Sequence, residues 1–415
     1  MSLLIAMNED KKEMEKYWSS IQELKGQPDE CKPEASPAES PVESLFNEDV
    51  INAGTSRRDF LKACGFSISA ATLAAGCEGP VRKAIPFLAK PEEVTPGVAN
   101  HYASTYIDGS DYCSVLVKTR DGRPIKIEGN ERSSVSRGGT TARVQASVLS
   151  LYDSERLTNP LSKGEKESWK DIHSEIKANI EHIVSKEGRL ILLTAPLVSP
   201  SERQAVKEFV EKYPGTELLV YEPNSFSGTL DANANCFGKR VVPSYNMEDA
   251  QLIVSFGADF LGTWLSPVEF TKQYAAARKL TKGKKTMLRH IQYEAGMTLT
   301  GANADERYTI RPSEEMNVLS ALYNELAAKS GASTIPAAEV SHLDIPALSS
   351  ELWACKGKSI VLSGSNDIRI QTVVNGINHL LGNYGNTIDF QRAYNLKQSD
   401  DAKMVALVDD LNEKK

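Results

Sequence analysis

Short apolar segments alternate with amphipathic helical patterns over residues 166–415, and this alternation constrains the fold more than any other feature. Short apolar runs fit parallel strands buried on both faces, and the longer helical segments fit the crossovers between them. Because such crossovers are right-handed, the pattern predicts an α/β fold with a doubly wound parallel sheet, in a Rossmann-like region over 166–415. The predicted strands are residues 190–193, 218–221, 252–255, 286–288 and 359–362. Helices are predicted over 169–184, 200–213 and 313–329, with another after Asn366.

A small β-rich domain is predicted before this region. Residues 78–165 begin as a proline-containing tether up to about residue 100. Apolar and polar residues then alternate over 113–118, and a second short strand follows at 125–127. The Asp121-Gly122 pair between them is a strong hairpin signal.

Residues 56–77 carry the pattern of a twin-arginine export signal. Arg57 and Arg58 precede Phe-Leu-Lys and a weakly apolar run over 63–76, which ends at Cys77. The run is too short to span a bilayer, which takes about 20 apolar residues. The sequence Leu-Ala-Ala-Gly-Cys also matches a lipobox, so Cys77 is the predicted lipidation site. The alternative is that 63–76 is an ordinary buried helix.

Residues 1–55 form an extension before that signal. Residues 13–24 have the apolar spacing of a short amphipathic helix, and residues 27–44 are rich in Pro, Glu and Ser. The second stretch is typical of a flexible linker. The helix is equally compatible with docking onto a partner and with packing in the core of this chain.

Composition excludes several classes of function. The chain of 415 residues has a net charge of −7, which disfavours a nucleic-acid partner. Its six cysteines are scattered, without a C-x-x-C pair or a ferredoxin spacing, and its six histidines are isolated. No metal site follows from spacing. No nucleophile beside a base and no acid–base pair can be placed, so no catalytic residue is predicted.

Two predicted strand ends are the candidate ligand positions. One carries Gly257 and Asp259, and the other carries Gly364 and Asn366. Ligands of doubly wound sheets bind beyond the carboxyl ends of strands, where glycine allows close approach to the backbone. The alternative is that these glycines serve only tight strand-to-helix turns.

Several segments together resemble the molybdopterin oxidoreductase family. Residues 113–129 resemble the stretch in which an iron–sulfur Cys segment runs into a hairpin and an Ile-Glu-Gly. The resemblance covers residues 56–415 and continues at 136–138, 149–157, 249–257 and 365–385. It implies a molybdopterin oxidoreductase-like fold, in which a small β-rich domain is followed by doubly wound parallel-sheet domains.

The resemblance also assigns positions to the family's cofactors. Four cysteines of the family hold a [4Fe–4S] cluster, and Tyr106, Gly109, Cys113 and Thr141 stand at those positions here. Only one is a cysteine, and such a cluster needs four thiolates, so the cluster is expected to be absent.

The molybdenum-ligand position of the family falls near residues 223–227. Ser225 or Ser227 is the side chain that could coordinate there, but the local family pattern is missing. No cofactor and no metal are therefore expected in this chain.

Residues 138–153 and 256–267, together with the internal twin-arginine signal and the extension over 17–24, further resemble the large iron–sulfur subunit of alternative complex III. That complex is the quinol-oxidising respiratory assembly of bacteria lacking cytochrome bc1. The resemblance implies a cofactor-free scaffold, with iron–sulfur clusters and haem c carried elsewhere in the complex. It implies integral membrane quinol-binding subunits and multihaem cytochrome c subunits as partners.

The expected location is the periplasmic face of the bacterial inner membrane, through a lipid anchor. In that family a ferredoxin-like half follows, so the α/β region is expected to be incomplete at its C-terminus. Two other functions stay open: an active molybdopterin oxidoreductase of the polysulfide or tetrathionate type, and a free lipoprotein that binds a nucleotide-like ligand.

Overall fold

A computed structural model describes residues 94–95, 97–108 and 111–413 of the chain. Several predictions fall outside these residues: the 1–55 extension, Arg57 and Arg58 of the export signal, the apolar run before Cys77, Cys77 itself, most of the tether, and Gly109.

The first element is a three-stranded antiparallel sheet of β1 (Ala99–Asp108), β2 (Asp111–Arg120) and β3 (Arg123–Gly129). Asp121 and Gly122 connect β2 to β3 with φ angles of 50° and 77°. Two successive positive φ angles are what a type I′ hairpin turn requires, and Asp-Gly favours it. The predicted hairpin is therefore confirmed.

The rest of the chain alternates strands and helices. In chain order the elements are α1 (Ala142–Ala146), a 3₁₀ helix (Ser147–Tyr152), β4 (Leu161–Ser162), β5 (Glu165–Lys166), α2 (Trp169–Ser185), β6 (Leu190–Thr194), α3 (Pro200–Lys212), β7 (Thr216–Val220), α4 (Ser227–Phe237), β8 (Val242–Tyr245), β9 (Leu252–Phe256), α5 (Pro267–Arg278), β10 (Arg289–Glu294), α6 (Leu299–Ala302), β11 (Glu306–Thr309), a 3₁₀ helix (Pro312–Glu314), α7 (Glu315–Ser330), α8 (Ile345–Ala354), β12 (Ser359–Ser363), α9 (Ile368–Leu380), β13 (Ile388–Tyr394) and α10 (Asp401–Asn412).

The centre of the fold is a parallel sheet with the strand order β11-β10-β9-β12. Alternate residues of its strands enter two separate cores, one on each face. Ile253 packs with Phe260 and Phe270 on one face. Val254 and Val361 pack with apolar residues of α7, α8 and α9 on the other face. Strands covered on both faces favour apolar side chains on both, which is why 252–254 and 360–362 are continuous apolar runs.

The strand order contains a topological switch. From β9 the chain moves outward through β10 to β11, and it then returns to the other side of β9 as β12. The carboxyl ends of the adjacent strands β9 and β12 therefore lie where the strand order reverses. Ligands of doubly wound sheets bind in the crevice at such a point.

The strand predicted over 190–193 is present but is not buried on both faces. As β6, it pairs in parallel with β7 in a separate two-stranded sheet. None of its residues is fully buried, and Leu193 is 50% exposed. The apolar run predicted a parallel strand correctly, but the burial that usually accompanies such a run is missing.

The strand predicted over 286–288 is wrong, because the strand in this part of the chain is β10. β10 has no continuous apolar run, because His290, Gln292 and Glu294 are buried along one of its faces. Nε2 of His290 lies 3.2 Å from Oε1 of Gln292, and the Gln292 amide lies 3.3 Å from the Glu294 carboxylate. These contacts satisfy polar groups that would otherwise be costly to bury.

At Val361, the outer edge of β12 is occupied by the side chain of Asn378. The Asn378 amide of α9 donates to the Val361 carbonyl at 2.8 Å and accepts from the Val361 N–H at 3.1 Å. Asn378 is 2% exposed. Its amide thus forms the pair of hydrogen bonds that a neighbouring strand would form.

Within the described part of the chain, no helix is long and apolar enough to cross a membrane.

Candidate functional site

The predicted strand-end residues meet in one cleft at the carboxyl edge of the central sheet. A cavity of about 600 Å³ is lined by both strand ends and by the segment that follows β7. The lining includes Gly257 and Asp259 after β9, Gly364 and Asn366 after β12, and residues 221–226. The structure therefore brings together the two strand ends and the region that the family resemblance assigned to the molybdenum ligand.

The floor of this cleft is closed by backbone. The Gly364 N–H donates to the Phe256 carbonyl at 2.8 Å. A Cβ atom on Gly364 would lie only 2.5 Å from the carbonyl oxygen of Gly257. Glycine at 364 is therefore required for the approach of the two loops, which supports the tight-turn interpretation of this residue. The carbonyl of Gly257 occupies the position that such a glycine leaves open to a ligand in other folds.

The Asp259 side chain is hydrogen-bonded to the loops around it. One carboxylate oxygen accepts from the hydroxyl of Thr300 at 2.7 Å and from its N–H at 3.1 Å. The other accepts from the hydroxyl of Thr263 at 3.3 Å. A Cβ atom on Gly262 would approach this carboxylate to 2.1 Å. Asp259 thus joins the loop after β9 to the start of α6.

The Asn366 side chain is committed in the same way. Its carbonyl oxygen accepts from the Gly228 N–H at the start of α4 at 2.8 Å. Its amide donates to the Asp401 carboxylate at the start of α10 at 2.8 Å. A Cβ atom on Gly228 would lie 2.0 Å from the backbone oxygen of Asn366, so the two segments are in close contact. Asn366 connects the starts of two helices across the cleft.

Neither serine at the predicted molybdenum-ligand position has an unengaged hydroxyl. The Ser225 hydroxyl donates to the Ser399 hydroxyl at 3.1 Å and accepts from the Ser227 N–H at 3.0 Å. The Ser227 hydroxyl donates to the Asp231 carboxylate at 3.0 Å and accepts from the Asp401 N–H at 3.3 Å. Coordination of a metal would require these hydrogen bonds to break.

The Glu222 side chain, which follows Tyr221 at the end of β7, is also fully engaged. One carboxylate oxygen lies 3.1 Å from the Lys397 ammonium. The other accepts from the N–H groups of Gln398 and Ser399, both at 2.9 Å. The side chains of Glu222 and Lys397 are 6% and 4% exposed. Sequence reasoning missed this pair: the position of Glu222 after a predicted strand was an available signal, but nothing near Lys397 pointed to it.

A second cavity of about 690 Å³ adjoins the first and shares Glu222, Asn224 and Thr263 with it. It extends to the carboxyl ends of β6 and β7 and is lined by Lys397. The hydroxyl of Thr194 at the end of β6 also lines it and is buried, with no hydrogen-bond partner in the part of the chain that the structure describes. The space between the two parallel sheets is thus partly open.

Three of the four positions that the resemblance assigns to the iron–sulfur cluster are described by the structure, and they lie around one small apolar core. Tyr106 of β1 and Cys113 of β2 are directly paired across the antiparallel sheet. Cys113 is buried with Val115, Val144 and Val148, and Tyr106 packs against the same cluster. Thr141 caps the N-terminus of α1 by accepting from the Val144 N–H at 3.3 Å. Packing and capping thus account for these three positions.

Two carboxyl groups near the sheet have raised pKa values. Burial raises the pKa of Glu315, although a hydrogen bond from the Ser363 hydroxyl at 2.6 Å opposes the shift. Burial likewise raises the pKa of Glu269, which accepts from the Tyr394 hydroxyl at 2.7 Å. Each has a structural partner, and neither lines the two cavities.

The described residues contain no preformed cluster of metal-binding side chains. No group of three His, Cys, Asp or Glu side chains that could bind one occurs among residues 94–95, 97–108 and 111–413. The two serines at the molybdenum position are engaged as described above. No chemical step can be derived through a molybdenum centre from these residues.

Comparison with known proteins gives distant matches. No protein-family model matches the chain. The chain is 22% identical over 245 residues to the menaquinone reductase, molybdopterin-binding-like subunit of Nitratidesulfovibrio vulgaris, covering 57% of this chain and 34% of that protein. It is 25% identical over 233 residues to the arsenate respiratory reductase molybdopterin-containing subunit ArrA of Shewanella sp. strain ANA-3, covering 52% of this chain and 27% of that protein.

A solved structure extends the match in space. Acetylene hydratase from Pelobacter acetylenicus superposes with a TM-score of 0.52 at 11% identity, over 68% of this chain and 44% of that one. The fold is molybdopterin oxidoreductase-like. The distant relatives are subunits of molybdopterin-type oxidoreductases that act in electron transfer. The chain spans about a third or less of the length of these two curated relatives.

Proposed function

We propose that this chain is a scaffold part of a membrane-bound, quinol-oxidising respiratory complex of the alternative complex III type, with a molybdopterin-like domain that carries no cofactor. The observation that carries the proposal is the state of the cleft. Four polar side chains that line it bind the chain's own residues: Glu222, Ser225, Asp259 and Asn366. The neighbouring Ser227 is engaged in the same way.

The relatives support this choice of complex. The menaquinone reductase subunit is described as molybdopterin-binding-like and belongs to an enzyme that acts on a quinone. A subunit of that kind would contribute packing and assembly while electrons pass through cofactors held elsewhere. Integral membrane quinol-binding subunits, iron–sulfur clusters and multihaem cytochrome c are the proposed partners and carriers.

The export signal supports a periplasmic location. We propose that Arg57 and Arg58 direct export and that Cys77 is acylated, which would anchor the chain to the periplasmic face of the inner membrane. Stable anchoring takes two signals, such as two acyl chains, because one acyl chain alone binds only marginally. Intact mass of the mature protein is expected to show loss of residues 1–76 and added acyl mass. A chain that keeps the extension and an unmodified Cys77 would contradict this location.

Purification of the complex from membranes tests the main proposal. The chain is expected to co-purify with quinol-binding and haem-containing subunits, and the chain purified alone is expected to contain neither molybdenum nor iron. Asp259→Ala and Asn366→Ala are expected to leave quinol oxidation nearly unchanged when rates are compared at equal amounts of assembled complex. Loss of turnover without loss of assembly would place a functional site in the cleft.

The second candidate is an active molybdopterin oxidoreductase, and the match to ArrA is the observation that favours it. Against it, the hydroxyls of Ser225 and Ser227 at the molybdenum-ligand position are hydrogen-bonded within the chain. The same metal analysis separates the two functions, because stoichiometric molybdenum in the purified chain would support the enzyme and contradict the scaffold.

A further inference from the structure

The Glu222 carboxylate is bound as a free anion would be. Three donors surround it, and they come from three consecutive residues of one loop. The Lys397 ammonium lies 3.1 Å from one oxygen, and the N–H groups of Gln398 and Ser399 each donate to the other at 2.9 Å. Successive backbone N–H groups with a neighbouring cation are a common way to bind oxyanions.

This set of donors is built into the fold. The loop that carries it lies between β13 and α10, and the Ser399 hydroxyl accepts from the Phe226 N–H at 3.0 Å. The Gln398 amide donates to the Leu197 carbonyl at 3.1 Å, and its carbonyl accepts from the Leu197 N–H at 3.3 Å. The donors are thus fixed by residues other than Glu222, so they are expected to keep their positions when its carboxylate is removed.

The site also adjoins open space. Glu222 and Lys397 both line the cavity of about 690 Å³, so loss of the Glu222 carboxylate is expected to open a path from the cavity to the donors. The Lys397 ammonium lies 4.9 Å from the centre of the Phe226 ring, and Glu222 is the carboxylate paired with it in this structure. Removal of that carboxylate leaves a buried cation that favours uptake of another anion.

We propose that Lys397 and the N–H groups of Gln398 and Ser399 form an oxyanion-binding site that the chain occupies with its own Glu222. The site is specific for a small oxyanion of carboxylate, sulfate or phosphate chemistry. While Glu222 is in place, its carboxylate occupies the donors and excludes such ions from them. This site is independent of the proposed role in a quinol-oxidising complex, because it depends only on contacts within this chain.

Glu222→Ala tests the site through rescue by an added ion. The variant is expected to unfold at a lower temperature than the wild type in chloride. Sulfate, titrated at constant ionic strength, is expected to raise its unfolding midpoint along a saturable curve by roughly 5 °C, because an ion that binds only the folded state stabilises it. Inorganic phosphate is expected to act in the same way. The wild type is expected to show no saturable rise.

Two controls separate a site from a general salt effect. Glu222→Ala combined with Lys397→Met removes the charge that attracts the ion, so its midpoint is expected to be independent of sulfate. Glu217→Ala removes an exposed carboxylate that pairs with Arg189 at 3.2 Å, and it is expected to respond to sulfate as the wild type does.

Equal responses of Glu222→Ala, the wild type and the double variant would overturn the proposal. If Glu222→Ala does not fold in chloride, refolding in sulfate replaces the titration and is expected to recover the native circular dichroism spectrum. Failure in both salts, while the double variant folds, would overturn the site as well.

Discussion

The two parallel sheets of this protein arise from the same sequence pattern but are packed differently. In the central four-stranded sheet, every residue of β9 and of β12 is buried. In the β6–β7 sheet only Leu219 is fully buried, and the neighbouring helices α2 and α3 contribute no buried residue. An apolar run followed by a helix therefore specifies a parallel strand, whereas its burial depends on how many layers pack around it.

The contrast extends to the surface. Trp169 and Ile176 of α2 and Leu193 of β6 are 63%, 51% and 50% exposed. Comparable side chains on the central sheet, such as Ile253 and Phe256, are fully buried. Stability is thus expected to be distributed unevenly, with the central sheet contributing most of the free energy of unfolding.

The largest expected difference between the two sheets is the cost of a cavity. Ile253→Ala is expected to lower the free energy of unfolding by about 2–5 kcal/mol, because Ile253 is fully buried and its loss leaves a void. Leu193→Ala in β6 is the matched control and is expected to cost less than about 1 kcal/mol. Urea denaturation of both variants measures the difference. Equal costs would show that the two sheets are packed alike.

Removal of a buried polar side chain at the edge of the central sheet is expected to have the next largest effect on stability. Asn378→Ala removes both hydrogen bonds to Val361 and leaves a buried N–H and a buried carbonyl without a partner. The expected cost is about 2–4 kcal/mol. Asn386→Ala, which removes one exposed hydrogen bond to the Gly382 carbonyl, is expected to cost under about 1 kcal/mol. Chemical denaturation at neutral pH distinguishes them.

Acid is expected to destabilise the central sheet through His290. Burial lowers the pKa of His290 to about 4, whereas an unfolded histidine titrates near 6.5. The unfolded state therefore takes up a proton first as pH falls, and stability present above pH 6.5 is lost progressively towards pH 4. By pH 5 the loss is expected to be about 2 kcal/mol.

The test compares the wild type with His290→Gln between pH 7 and pH 5. Carboxyl groups are common to both proteins, so the difference between their pH slopes reports the histidine. Parallel slopes would contradict a buried neutral His290.

The smallest effect is expected on the exposed face of α2. Ile176→Gln is expected to change the free energy of unfolding of the isolated chain by less than about 0.5 kcal/mol, because Ile176 is already half exposed. Thermal and urea unfolding together measure it. A cost as large as that of Ile253→Ala would mean that α2 packs against residues outside those described.

Much of the central fold could be predicted because its strands obey simple patterns. The strands at 252–255 and 359–362 are apolar on both faces, and glycine follows each of them. β10 could not be found in this way, because His290, Gln292 and Glu294 satisfy one another inside the fold. A pattern that treats buried residues as apolar has no means of recognising such a ladder.

The candidate site divides in the same way. Gly257, Asp259, Gly364 and Asn366 could be chosen from the sequence as candidate ligand positions, since ligands of doubly wound sheets bind beyond the carboxyl ends of strands. The hydrogen bonds of Asp259 and Asn366 to Thr300, Gly228 and Asp401 were not predictable, because these partners depend on how distant loops pack. The pairing of Glu222 with Lys397 is of the same kind, since it joins residues far apart in the chain.

The Asn378 side chain also makes the two edges of the central sheet different. Its amide occupies the hydrogen-bonding groups of Val361, so at that position β12 cannot recruit a strand from another polypeptide. At the opposite margin β11 pairs, among the described strands, only with β10. The sheet thus has a terminated end and an extendable end. A neighbouring protein that joins it by backbone pairing is expected to do so along β11, and one that contacts the β12 side must engage side chains instead.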